Sequence, residues 1–209
     1  MIFFIMNKGI LTAIIVGVIA VGGFLASPLF YETEVDEPLP VALDKIEGGL
    51  TLDKFSEMEE QQRQILVEKM PQKVKDMIME ESATLPTTVS EEMDGMMDKD
   101  SSKENSVVIT KTGEFEGLTG HKAKGIAKII KVNDITFLRF EEFEVTNGPD
   151  LRVYITQNGN VHDGIHLDKL KGSRGDQNYL LENVDIEVYN TVVIYCQPFG
   201  AYFAQADLN

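Results

Sequence analysis

Few side chains in this sequence can carry redox or metal chemistry, and the first of them is the single cysteine, Cys196. It ends an apolar run that begins at Val192, and Gln197-Pro198 follow it, so its sulfur is expected near the end of a strand. A thiolate there could ligate haem iron or copper, or be oxidised reversibly. A lone cysteine forms no intramolecular disulfide, and it can instead serve as a small buried hydrophobe. Both interpretations stay open.

Histidine supplies the second group of potential ligands. His121 begins a predicted strand and could form a metal or redox pair with Cys196 if the fold brings the two together. A surface or capping role is the alternative. His162 and His166 lie four residues apart in a loop rich in Gly and Asp, where that spacing does not place both rings on one face as a helix would. We therefore predict Cys196 as the redox residue and Cys196 with His121 as cofactor ligands, and we assign no residues to a metal site.

Two other features have simpler explanations. Met93, Met96 and Met97 stand among carboxylates, and soft sulfur binds cuprous ion, but an acidic linker rich in Met explains the pattern as well. Asp150 follows Gly148-Pro149 and is interpreted as a turn residue whose carboxylate accepts backbone hydrogen bonds. The sequence has no Cys-x-x-Cys-His haem attachment, phosphate-binding loop or nucleophile elbow. The cofactor therefore stays unassigned, with haem and copper as the candidates, and a classical enzyme is not expected.

The charge is concentrated in the middle of the chain. The formal net charge of the 209 residues is -15, and residues 31–106 hold 20 acidic and 8 basic side chains. Neutralising phosphates requires a basic surface, so a nucleic-acid partner is not expected.

The segment 9–30 contains no charged side chain. A stretch of about 20 apolar residues is long enough to cross a bilayer as a helix. Lys8 precedes it and acidic residues follow it, which favours a cytoplasmic N-terminus and an extracytoplasmic remainder. We predict that residues 1–30 form a transmembrane anchor or signal segment, so that the chain is a single-pass membrane protein; a cleaved signal peptide and a buried helix are the alternatives.

Residues 31–106 are predicted to be an acidic stalk. Apolar residues at steps of three and four predict helices at about 52–82, with a break near Pro71. Their apolar stripe is expected to pack on the C-terminal domain or on another protein. A Met-rich linker completes the stalk.

Residues 107–209 are predicted to form a β domain. Short runs rich in Val, Ile, Thr, Phe and Tyr alternate with turn residues. The predicted strands are 107–116, 121–132, 135–143, 151–156, 177–181, 184–188, 191–196 and 200–206. The last-but-one strand is apolar on both faces and is expected at the centre of a sheet. This pattern favours an antiparallel β-sandwich or barrel.

Landmarks along this domain have a familiar order and spacing. They are Gly113-Glu114-Phe115, His121, Gly125, Leu138-Arg139-Phe140, Gly148-Pro149-Asp150-Leu151, Tyr154, Leu170-Lys171-Gly172, Val193-Ile194-Tyr195-Cys196, Phe199 and Phe203. With them, the segment 107–209 resembles the DM-thirteen domain, a small module proposed to transfer electrons and often found beside DOMON domains. The resemblance implies a β-rich extracytoplasmic domain with a key cysteine and a redox role.

Two functions therefore remain. One is a membrane-anchored redox or electron-transfer module centred on Cys196, with an electron-transfer protein as its partner. The other is a non-catalytic interaction or adhesion module that binds a cell-surface protein.

Overall fold

The computed structural model describes residues 39–92 and 107–209, all of which fall within one unit, Pro38–Asn209. The predicted anchor at 1–30 and the Met-rich segment at 93–98 lie outside the described residues. In the part that is described, no helix is both long and apolar enough to cross a membrane. The membrane anchor thus stays a prediction.

In the described segment 39–92, four short helices precede the β domain. They are α1 (Leu39–Ile46), α2 (Leu52–Glu57), α3 (Glu60–Lys69) and α4 (Gln72–Ala83). The Thr51 hydroxyl accepts a hydrogen bond from the Lys54 N–H and so caps α2. Pro71 lies between α3 and α4. It cannot continue α3, because a proline has no backbone N–H to donate, and α4 begins directly after it. The three later helices span the segment for which periodicity predicts helix, and α1 lies before it.

Within residues 107–209, nine strands form two antiparallel sheets. They are β1 (Val107–Glu114), β2 (Glu116–Gly117), β3 (Ala123–Val132), β4 (Ile135–Val145), β5 (Leu151–Thr156), β6 (Ile165–Lys169), β7 (Gln177–Leu180), β8 (Thr191–Cys196) and β9 (Ala201–Asp207). One sheet has the order β1-β3-β4-β7 and the other β2-β9-β8-β5-β6. Side chains from both sheets, including Phe140 and Ile194, share one buried core. The prediction of a mainly β, antiparallel fold is confirmed, with the two open sheets stacked as a sandwich.

Two segments differ from the predicted strands. Residues 184–188 form a turn, because the Asp185 carboxylate accepts the Glu187 N–H and the Asp185 carbonyl accepts the N–H groups of Val188 and Tyr189. Conversely, β6 forms where a loop was expected. Ile165 and Leu167 of β6 pack against the core while His166 and Asp168 are exposed, so the strand shows a period of two.

The helices pack on the sandwich and not only on one another. Their buried side chains, among them Leu43, Phe55 and Ile78, form a small apolar cluster that Phe199 of the β domain joins. The Phe55 and Phe199 rings stack with centroids 6.0 Å apart. Residues 39–83, here called the helical cover, therefore close one end of the sandwich. Sequence analysis predicts an acidic stalk whose apolar stripe packs on the C-terminal domain or on another protein, and in the structure this stripe packs on the C-terminal domain.

A strap of residues 84–92 continues from the cover along the sandwich. The Val89 N–H donates to the Arg174 carbonyl and the Glu91 N–H to the Asp176 carbonyl, each at 2.9 Å. Gly175 lies directly beneath the strap, with φ +98°, and a Cβ placed on it would stand 1.8 Å from the Val89 carbonyl oxygen. A glycine is thus required here both by the backbone conformation and by the close approach of the strap.

We predict that Gly175→Ala lowers the free energy of unfolding by about 2–4 kcal/mol, since it combines backbone strain with displacement of the strap. Gly120→Ala is the matched control, because Gly120 also has a positive φ of +87° but has no atom within 4 Å of an added Cβ. The control should lose only about 1 kcal/mol. Urea unfolding followed by circular dichroism measures both. Equal losses in the two variants would show that the strap contact contributes nothing.

Candidate functional site

Cys196 is the last residue of β8, the central strand of its sheet. It pairs with Leu151 of β5 and Ala201 of β9. Its side chain points into the sandwich core and its exposed fraction is 0%. The prediction that β8 is a central strand is confirmed, and all six of its residues are buried. The sulfur lies near a strand end, as expected, but at the end that the helical cover closes.

Burial governs the chemistry of the thiol. Removal from water raises the pKa of Cys196 to about 12, although backbone hydrogen bonds from Phe199 and Asp150 to the sulfur act in the opposite direction. The thiol is therefore neutral at physiological pH in this conformation. Its reactivity requires either that the surroundings open or that a bound group withdraws the proton.

A buried ion cluster stands next to the thiol. Arg63 of α3 reaches the sandwich and bonds the Asp150 carboxylate, and the side chains of this pair are 2% and 3% exposed. Arg152 holds the same carboxylate with two further hydrogen bonds of 2.9 Å. Arg63 also donates to the Ser56 carbonyl at 3.0 Å. Asp150 is therefore the centre of an ion cluster, whereas sequence analysis interpreted it only as a turn residue.

Polar contacts continue from the cover to the outer face of the sheet. The Gln197 amide donates to the Glu60 carboxylate, and the Tyr154 hydroxyl donates to the Gln197 side-chain oxygen, each at 2.9 Å. Gln197 directly follows Cys196. Gln197, the residue after the thiol, thus links the helical cover to Tyr154 on the outer face of the sheet.

Three tyrosines form a continuous aromatic group on that outer face. Tyr195 lies between Tyr154 and Tyr202, with ring centroids 5.9 Å and 5.1 Å away, and His166 lies 5.1 Å from Tyr154. Because successive strand residues face opposite sides, Tyr195 points outward where Cys196 points inward. Sequence analysis missed this group. The sequence shows only that these three tyrosines lie on different predicted strands. Whether they are neighbours depends on strand register, which the sequence does not reveal.

His121 lies on the loop that leads into β3. Its ring stacks on Phe203 with centroids 3.6 Å apart, and partial burial lowers its pKa. No hydrogen bond between described residues joins it to Cys196. Within the described ranges, no three His, Cys, Asp or Glu side chains cluster as a metal site would need. The role of His121 and Cys196 as cofactor ligands stays a prediction.

We predict that His121 makes the protein less stable in mild acid. Partial burial holds its folded-state pKa below the ordinary histidine value of about 6.5, so the unfolded chain binds more protons as pH falls below about 6.5. Stability is then lost from that pH down to the lowered pKa of the folded state. His121→Gln should reduce the fall in Tm between pH 7.5 and pH 5.5. His162→Gln, at an exposed position, is the control; an equal effect of both variants would contradict the prediction.

Residues 114–208 match a protein-family model described as Electron transfer DM13. No curated protein matches the chain, and no solved structure does. The matched segment contains Cys196, Asp150 and the three tyrosines, whereas Arg63 lies outside it. The match of residues 114–208 to this family confirms the resemblance that the sequence landmarks predicted.

Proposed function

We propose that this chain is a membrane-anchored, extracytoplasmic electron-transfer module whose redox centre is Cys196. The observation that carries the proposal is the position of this thiol within a domain that matches an electron-transfer family. Backbone amides of Asp150 and Phe199 are directed at its sulfur, and the Arg63–Asp150 pair lies beside it. Hydrogen bonds to sulfur and nearby charge are the means by which proteins adjust the potential of sulfur-ligated centres.

The anchor is inferred from sequence. The uncharged segment 9–30, with Lys8 before it and acidic residues after it, supports a single span with the sandwich on the extracytoplasmic side. A tether of this kind would hold the domain close to an electron-transfer partner in or on the same membrane.

The residues around Cys196 do not complete a site for copper or haem. They supply one sulfur within an apolar core, and the described residues contain no cluster of three candidate ligands. The proposal therefore assigns the redox change to the sulfur of Cys196 itself: the thiol is oxidised to a sulfenic acid, water supplies the oxygen, two protons are released, and the electron-transfer partner accepts the two electrons. Access to the sulfur would come through the aromatic group behind it or by opening of the helical cover.

The proposal is tested on the purified full-length chain. Mild oxidation should remove the one titratable thiol of the chain and a subsequent reductive titration should restore it, and metal analysis should show whether a group is bound. Cys196→Ala should abolish this change. An identical titration in Cys196→Ala would refute Cys196 as the centre.

A non-catalytic interaction module is the second candidate. The exposed parts of Tyr154 and Tyr202 favour it, since aromatic residues dominate the energetics of protein interfaces. The buried, neutral thiol is also the ordinary state of a structural cysteine. This candidate predicts that Tyr154→Ala with Tyr202→Ala abolishes binding to cells carrying the partner, while Cys196→Ala leaves binding intact. The reverse result would exclude it.

A further inference from the structure

Exposed apolar side chains gather at one end of the sandwich. Of the nine large apolar side chains that are exposed among the described residues, six lie at this end: Val107, Val108, Ile109, Ile135, Leu180 and Val188. It is the end remote from the helical cover, since β4 begins at Ile135 and only beyond its other end does Asn147 bond the cover, through the Ser82 carbonyl at 3.2 Å. Single exposed apolar residues are ordinary, but a contiguous group indicates a binding surface.

The strand register shows that most of this group shares one face. In the four-stranded sheet, the row of paired residues that faces the core is Ile129, Leu138 and Tyr179. Neighbouring residues along a strand face opposite sides. The adjacent row, which crosses all four strands, therefore faces outward and comprises Ile109, Ile130, Phe137 and Leu180. The outward row beyond it, towards the hairpin turn, comprises Val107, Val132 and Ile135.

These seven residues, here called the outer patch, carry no charge. An antiparallel sheet whose second face meets only water usually has polar residues there. The strap covers the neighbouring polar part of the same face, where the Glu91 carbonyl accepts a hydrogen bond from Arg139 at 2.9 Å. It leaves the outer patch open, because Ile109, Ile135 and Leu180 are 53%, 49% and 47% exposed. The patch can be removed from water only by another surface.

The size and the charge of the outer patch fit a second copy of this chain. With its polar rim, the patch presents roughly 500 Å² per copy, so a dimer would bury about 1,000 Å², the lower limit for a specific interface. The net charge of -15 on each copy opposes association in general. Residues 107–140, which include β1 and β3, nevertheless hold six basic and only three acidic side chains. Two copies therefore approach by this face with little repulsion between carboxylates.

We propose that two copies of this chain associate through their outer patches, with the two sheets packed face to face about a two-fold axis. Such an interface is isologous, so an uncharged aliphatic face meets an identical one. Packed sheets lie about 10 Å apart and interdigitate their apolar side chains. The contact leaves the helical cover of both copies accessible, because the cover lies at the other end of the sandwich. It does not depend on the redox role proposed for Cys196.

Self-association is tested by sedimentation velocity of the full-length chain in detergent micelles. Dilution from about 100 to 1 µM should convert dimer to monomer, since an interface of this size is weak. Leu180→Lys on β7 and Ile135→Lys on β4 should each weaken the dimer at least tenfold, because a charge would have to be buried in the apolar contact. Both side chains are half exposed, so the monomer should fold as before, and circular dichroism verifies this.

Ile65→Lys is the matched control, because Ile65 is 55% exposed on the helical cover. This variant should dimerise as the wild type does. Higher salt should strengthen the dimer by screening the net charge. Association of the predicted membrane anchors alone would leave all variants equal to the wild type. That result, or a wild type that is monomeric at every concentration, would overturn the proposal, and the outer patch would then serve another protein.

Discussion

Arg63→Met is expected to lower the free energy of unfolding by about 3–5 kcal/mol. The substitution leaves the Asp150 carboxylate buried, at 6% exposure of the residue, with only Arg152 to neutralise it. The carboxylate loses one of its two cations, and the two hydrogen bonds that the Arg63 guanidinium makes to Asp150 and to the Ser56 carbonyl are lost; hydrogen bonds to charged groups contribute about 1.5–3 kcal/mol each. Urea unfolding monitored by circular dichroism measures the change.

Arg174→Met is the matched control for this prediction. Arg174 pairs with Glu144 at 2.9 Å, but the two side chains are 52% and 36% exposed. Surface pairs of this kind contribute at most about 1 kcal/mol. If the two variants lose the same stability, the ion cluster next to Cys196 is not the buried, tightly coupled group described above.

Phe55→Ala is the second substitution with a large expected effect. Phe55 has an exposed fraction of 0%, and it joins the apolar cluster of the cover to Phe199. Truncating a buried Phe costs about 3–5 kcal/mol through lost burial and the cavity that remains. Much of this loss should fall on docking of the cover, because Phe55 of the cover stacks on Phe199 of the sandwich. Phe199 lies only three residues beyond Cys196.

A thiol assay distinguishes local opening of the cover from general destabilisation. In the wild type, the buried thiol of raised pKa should react slowly with a thiol-specific disulfide reagent at pH 8. Phe55→Ala should increase the rate at least tenfold, since 1.4 kcal/mol of local opening corresponds to a factor of ten. Ile65→Ala, at a site 55% exposed on the same cover, should react as the wild type does. An unchanged rate in Phe55→Ala would show that the cover does not shield Cys196.

The sequence predicted the strands of the β domain well where hydrophobicity over a few consecutive residues was enough to identify a strand. Val192 to Cys196 is apolar at every position, and the segment is the central strand of its sheet. The turn at 184–188 was missed because Val184, Ile186 and Val188 alternate as in a strand. The decisive contact there is the Asp185 side chain, whose preference for turns was outweighed by its neighbours.

The surroundings of Cys196 could not be predicted in the same way. Arg63 lies in a polar helix, where a charged residue is normally solvated, and its partner Asp150 is 87 residues further along the chain. The grouping of Tyr154, Tyr195 and Tyr202 depends on the pairing of β5, β8 and β9. Contacts of this range follow from the tertiary fold and leave no periodicity in the sequence.

The central claim is that the sulfur of Cys196 is the group that is reversibly oxidised and reduced. Protein-film voltammetry of the full-length chain tests it most directly, with Cys196→Ala measured under the same conditions and its folding verified by circular dichroism. The account predicts a reversible wave in the wild type that Cys196→Ala abolishes, and a shifted potential in Arg63→Met, whose buried positive charge is lost. A wave that persists unchanged in Cys196→Ala, or no wave in the wild type, would contradict it.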